Sequence, residues 1–191
     1  MRSHEILMRV KDSEDHIDLL SHLVEQMFRR HGSELIRLRE LAAEVSSLID
    51  TLSPFVQRHT EKVCPRCVNV CCINRHSRYA YDDIVYLAAL GERTAPRKRD
   101  TSDAARCQFL GEKGCVIRHS LRPYRCTWYF CSPLLEQIEL EPVREYKKFI
   151  ELLQQITCKR ENLLDSFSEA AKRAGFDLDR NSRDGKEASN K

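Results

Sequence analysis

The sequence predicts a mainly α-helical protein, with an N-terminal helical hairpin and a long C-terminal helix around a compact cysteine-rich region. Three observations carry that expectation. Apolar residues recur at threes and fours through the first third; a 3.6-residue apolar period runs from Pro142 toward Gly175; and nearly all of the nine cysteines lie between these stretches, where glycines and prolines interrupt any regular pattern. A chain of 191 residues suits one domain with elaborations and can bury a core without disulfide staples.

In chain order, Leu20, Leu23, Val24 and Met27 fall at helical spacing between Asp15 and His31, and Gly32 stands where a C-terminal cap belongs. Ser33 is placed to cap a second helix carrying Leu38, Leu41, Val45, Leu48 and Leu52. That seam reads as a helical hairpin or short coiled coil, packing on its own domain in preference to forming a homodimer. Ser53-Pro54 predicts a break before a short helix over Phe55–Lys62. Asp82 can cap a helix through Ile84, Val85, Leu87, Ala88 and Leu90 that ends at Gly91, and residues 91–103 read as a loop. Cys107 to Cys131 reads as a compact loop with a small hairpin. Pro142 opens the strongest helix, through Val143, Tyr146, Phe149, Ile150, Leu153, Ile156, Leu163, Leu164, Phe167 and Ala170. The expected organisation is a helical region over 1–62, a cysteine-cluster metal-binding domain over 63–135, a C-terminal helix packed on it over 136–176, and a disordered tail over 177–191.

Composition narrows the function classes. Hydrophobic residues make up 41% and charged residues 32%, a soluble balance. No apolar run reaches the ~18 residues a membrane helix needs, and the start lacks a signal-peptide core, so a cytoplasmic protein is expected. A net charge of +3 is too small to argue for nucleic acid. The Arg97-Lys98-Arg99 run reads as a solvated turn.

The stretch CPRCVNVCC puts Cys64, Cys67, Cys71 and Cys72 within nine residues. A second block follows as Cys107, Cys115, Cys126 and Cys131, and Cys158 stands apart within the long helix, with no expected ligand role. The odd count, the missing export signal and the helical flanks argue against a disulfide framework and for metal. If residues 64–72 wind as a helix from Pro65, then Cys64, Cys67 and Cys71 fall within roughly 60° on one face, while Cys72 points about 100° away from Cys71. Three thiolates then await a fourth from the second block, and Cys72 serves a second site or packs as a small hydrophobe. Four plus four thiols allow two tetrahedral sites or one cluster with cysteines left over. A catalytic thiol lacks any base or partner signature.

These residues resemble the YkgJ-type cysteine-cluster proteins, described as zinc- or iron-chelating domains; flagellin lysine N-methylases carry a similar pattern. The family's C-x2-C-x3-CC, C-x-F-L and C-x-I-Y-x-x-R-P-x-x-C fall on Cys64, Cys67, Cys71, Cys72, Cys107, Phe109, Leu110, Cys115, Ile117, Arg122, Pro123 and Cys126. Two departures stand out: His119 occupies the usual tyrosine position, and one extra residue separates it from Cys115. The resemblance covers residues 64–131 and implies a chelated metal, without specifying a reaction.

All-cysteine ligation at irregular spacing tilts the expected occupant toward a [4Fe–4S] cluster, with Zn2+ as the alternative. Cys64, Cys67, Cys71, Cys72, Cys107, Cys115, Cys126 and Cys131 are its candidate ligands. His59, His76 and His119 read as surface histidines. Trp128-Tyr129-Phe130 reads either as a shield for the cluster or as core, and Arg122 either as a donor to the site or as the fixer of a turn before Cys126. The expected role is accessory, redox or metal-handling, through a protein partner. The alternatives are a small cluster-dependent protein-modifying enzyme and a zinc-stabilised interaction module. No nucleotide loop, catalytic triad or DNA-reading motif is present to support an enzyme or a nucleic-acid binder.

Overall fold

The computed structural model describes residues 14–32, 35–68, 70–98, 101–112 and 114–175, without the side chains of residues 14–16 and 19. The protein is mainly helical. In chain order the helices are α1 (Glu14–Arg30), α2 (Ile36–Val63), α3 (Tyr81–Leu90), α4 (Arg125–Trp128), α5 (Ser132–Glu139) and α6 (Val143–Arg173). The only strands among the described residues, β1 (Leu110–Gly111) and β2 (Gly114–Cys115), form an antiparallel hairpin pairing Leu110 with Cys115. No helix among the described residues is long and apolar enough to cross a membrane.

Helices α2 and α6 form the spine. Phe55 stacks on Phe149 at 5.0 Å and Lys159 reaches Glu44 at 2.5 Å, so residue numbers rise along one helix as they fall along the other: the pair is antiparallel. Leu38, Leu41, Val45, Ile49, Leu52 and Val56 on α2 are buried with Phe149, Ile156, Leu163 and Phe167 on α6. Each such side chain contributes about 1.5–3 kcal/mol by leaving water. Helix α1 closes one end, where Phe28 stacks on Phe167 at 5.9 Å. The seam of Leu20, Val24 and Met27 is thus buried within the chain itself. Helix α6 has 31 residues, about 46 Å at 1.5 Å each.

Two sequence expectations fail here. Pro54 does not break the chain: α2 runs through it from Ile36 to Val63. An interior proline costs about 3 kcal/mol and one backbone hydrogen bond. Pro54 is exposed, however, while Leu52, Val56 and His59 on the opposite side are buried without interruption. Packing along the spine outweighs the local penalty. The second failure concerns Asp82. The residue before α3 is Ala80, and Asp83 reaches back to accept its N–H at 2.9 Å. Gly91 does end that helix, in the left-handed conformation at φ 77°. Ser33, Arg99, the first 13 residues and the tail from 176 lie outside the described residues.

Helix α3 is buried from Asp83 to Ala89. Burying a charged residue there requires a partner, and Arg160 of α6 supplies it: its guanidinium donates to Asp83 at 2.6 Å, both side chains 5% exposed. The guanidinium lies over the rings of Tyr86 (5.3 Å) and Tyr124 (4.4 Å). The same Asp83 carboxylate accepts the Tyr124 N–H at 3.0 Å. One buried ion pair therefore ties α3, α6 and the second cysteine segment together.

Candidate metal centre

The two cysteine segments meet at one end of the helical frame, beyond the C-terminus of α2. The expected helix over residues 64–72 does not form. A single 3-10 turn spans Cys64–Arg66, and Cys67 is already extended at ψ 122°. With the helix gone, the shared face of Cys64, Cys67 and Cys71 no longer follows from 100° per residue. The segment has Val68 and Val70, both exposed, and nothing apolar at helical spacing to hold a helix against the frame.

Backbone hydrogen bonds bring the segments together instead. The Cys107 N–H donates to the Cys72 carbonyl at 2.9 Å, and Ile73 and Arg106 form an antiparallel bridge. Asn74, 1% exposed, organises this junction. Its backbone N–H donates to Ala105, its amide nitrogen to Ser102 at 3.0 Å, and its side-chain oxygen accepts from the Gln108 N–H at 2.8 Å. Asn74 was not singled out from the sequence. Its only signal there is an amide side chain two residues after the cysteine pair, where a turn is needed.

The β1–β2 hairpin carries Cys115 back beside the Cys107 turn: Leu110 N–H donates to Cys107 and Val116 N–H to Phe109, each at 2.9 Å. Arg122 is extended before Pro123, and its Nε donates to the Ile117 carbonyl at 2.8 Å, so in this structure it fixes the turn leading to Cys126. Tyr79 anchors the same turn, its hydroxyl donating to Leu121 at 3.0 Å. Cys131 immediately precedes α5, and its carbonyl accepts the N–H groups of Leu134 and Leu135.

Eight thiols converge around this junction, and their electrostatics record which are neighbours. Burial pushes the Cys64 thiol up, and charge on Cys71, Cys131 or Cys67 pushes it further. Burial likewise raises Cys126 to about 12, assisted by Cys115 and Cys107. The adjacent pair divides its roles. Their mutual interaction raises Cys71 and lowers Cys72, so the two thiols ionise as a coupled pair. Cys71 also shares a hydrogen bond with Cys131, which burial raises. Cys72 instead feels Cys126, Cys64 and Cys107. Cys64, Cys67, Cys71 and Cys131 thus share one neighbourhood and Cys72, Cys107 and Cys126, with Cys115 beside Cys126, another, and Cys72 links the two through both Cys71 and Cys64. Crowded thiols whose charges oppose one another are matched chemically by a thiophilic cation, which removes the repulsion when they ionise. Among the described residues, however, no three Cys, His, Asp or Glu side chains are already arranged to hold a metal ion. The donor chemistry fits a metal; the geometry is that of a gathered, unclosed set.

The histidines depart from expectation. His59 is fully buried and His119 is 3% exposed, so neither is a surface residue; His76 is half-buried, its Nδ1 3.0 Å from the Cys71 carbonyl. Burial lowers His59, whose Nε2 lies 3.3 Å from Glu141. Burial, with Arg122 nearby, lowers His119 to about 4 and keeps its ring neutral. The aromatic run also divides. Phe130 packs edge-on against Phe149 at 5.3 Å, whereas Trp128 and Tyr129 stay 48% and 38% exposed and shield little. Cys158 is exposed on α6. A cavity of about 540 Å3 lined by Ala43, Ser46, Ser47, Asp50, Thr51 and Leu90 contains no cysteine.

No family model, curated protein or solved structure matches the chain. The family resemblance rests on the motif residues between Cys64 and Cys126 alone.

Proposed function

We propose that the protein is a cysteine-cluster metal-binding protein of the YkgJ type, holding a [4Fe–4S] cluster in an accessory, redox or metal-handling role in the cytoplasm. One observation carries the reading: eight thiols from two distant segments gather at a single junction, and those with the most perturbed ionisation are perturbed by burial and by one another. Cys64, Cys67, Cys71 and Cys131 would hold one group, and Cys72, Cys107, Cys115 and Cys126 a second. A cluster there would supply one-electron chemistry, its potential tuned by burial and by hydrogen bonds to sulfur. The chain's own part is to bring the thiols together. Zn2+ is the competing occupant, supported by the grouping in fours, since structural zinc takes four thiolates tetrahedrally.

Anaerobic purification with iron, sulfide and zinc analysis separates the two. The iron–sulfur reading expects iron and acid-labile sulfide in equal amounts, with absorbance that bleaches on reduction. Zinc without sulfide selects the alternative. Cys67→Ala is expected to remove most metal from the first group while leaving the helical signal intact. Full metal content in that variant would falsify the ligand assignment.

A further inference from the structure

We propose that the cysteine-bearing end of the molecule is a self-association surface, on which a cationic aromatic patch of one copy meets an acidic apolar corner of a second. This inference is independent of which metal, if any, the thiols hold.

The first half of the surface is built from α4 and the turn Asn74–Ser77. Arg125 lies over both the Trp128 ring (5.7 Å) and the Tyr129 ring (4.8 Å), and Tyr129 in turn meets His76 at 5.9 Å. Arg75 and Arg125 are exposed, and neither makes an ion pair among the described residues. Segments 64–78 and 117–131 together carry six arginines and no aspartate or glutamate. Arg78 and Arg118 are neutralised by Asp103 and Asp50. Arg66, Arg75 and Arg125 are exposed, and Arg125 lies against half-exposed tryptophan and tyrosine. Tryptophan, tyrosine and arginine are the residues that dominate binding energy at protein interfaces.

The second half is the corner between α5 and α6. Residues 132–145 carry four glutamates against one arginine. Leu140 and Val143 stand out there at 78% and 71% exposure, with Leu135 at 38%. Glu141 is held inward by Arg58 and His59, but Glu136 and Glu139 are exposed and form no ion pair among the described residues. Cys131 precedes α5, and the eight residues of that helix set the corner about 12 Å away along its axis. Both halves lie at the same end of the spine, because Glu141 contacts the last turns of α2 and α2 leads directly to Cys64. Two complementary patches at one end of the molecule suit a two-fold interface, in which each copy offers both halves to the other. The apolar seam of α1 and α2 is largely consumed by the chain's own core, and apart from Ile36 the large exposed apolar side chains among the described residues lie in or next to the cysteine segments and the α5–α6 corner.

The test is sedimentation equilibrium of the full chain in reducing buffer, with the fluorescence of Trp128, the single tryptophan, followed on dilution. A monomer–dimer equilibrium is expected, weakened by salt, with a red shift of the emission as dimers dissociate. Arg125→Glu and Glu139→Arg should each weaken association about tenfold or more, and an equimolar mixture of the two variants should recover much of it. Leu140→Glu, outside the two cysteine segments, should also dissociate the dimer while leaving helical circular dichroism unchanged. A monomer at every concentration overturns the proposal. So does a dimer indifferent to Leu140→Glu and Arg125→Glu, a dimer abolished by thiol reductant, or paired variants that fail to restore one another.

Discussion

The helical spine and the cysteine junction are ordered by different means. Along α2 and α6 order comes from area: continuous apolar faces bury Leu52, Ile156, Leu163 and Phe167 almost completely, and no single contact decides the arrangement. In the junction the large apolar residues Val68, Val70, Val116, Trp128 and Tyr129 remain exposed, and order comes from discrete hydrogen bonds centred on Asn74, Tyr79 and Asp83. Area is forgiving, since many residues share the load and a misplaced proline is absorbed. Discrete polar bonds are not, because each buried group that loses its partner costs the full desolvation of that group.

The largest effect is expected where the two regions join. Asp83→Ala strands the Arg160 guanidinium in the core and frees the Tyr124 N–H. It should cost about 3–5 kcal/mol in denaturant unfolding, with the spine and junction losing order together. A loss confined to the cysteine segments would mean that the ion pair serves only one region. Metal removal should separate the regions. Stripped of metal under reducing conditions, the protein should keep its helical circular dichroism but lose hydrogen-exchange protection across residues 107–131, because thiolate–metal bonds couple binding to folding. Equal protection with and without metal would show that Asn74, Asp83 and Tyr79 suffice, and would weaken the chelation reading.

Asn74→Ala sharpens the same contrast at smaller scale. It removes the bonds to Ser102 and Gln108 and should cost about 1–3 kcal/mol. Metal content should fall as the Cys72–Cys107 junction loosens, while the spine stays protected. The smallest effect is a pH dependence. Burial lowers the His59 pKa below that of the unfolded chain, so folding favours the neutral ring. Its contribution is complete above the unfolded imidazole value and is lost as pH falls from there toward the folded value. The slope is at most about 1.4 kcal/mol per pH unit, the limit for one proton. His59→Gln should lower the slope in this part of the stability profile, leaving what His119 contributes; an unchanged acid limb would mean that His59 is not responsible.

What the sequence determined by itself was whatever depends on neighbours a few residues apart. The apolar periods of α1, α2 and α6, the left-handed stop at Gly91 and the turn imposed by Arg122-Pro123 are local, and so is the concentration of cysteines into two blocks. The tertiary structure decided matters in which distant residues compete with local preference. Pro54 stays inside a helix because the buried face of α2 outweighs its penalty. After the turn at Cys64–Arg66 the chain leaves helical geometry at Cys67, because no apolar face holds it to the frame, while the Cys72 carbonyl finds the Cys107 N–H. His59 and His119 are buried because α2 and the segment before Cys126 are covered by partners remote in sequence. Periodicity is written into a single segment. A hydrogen bond between residues 72 and 107, or an ion pair between Asp83 and Arg160, exists only once the chain has closed the loops between them.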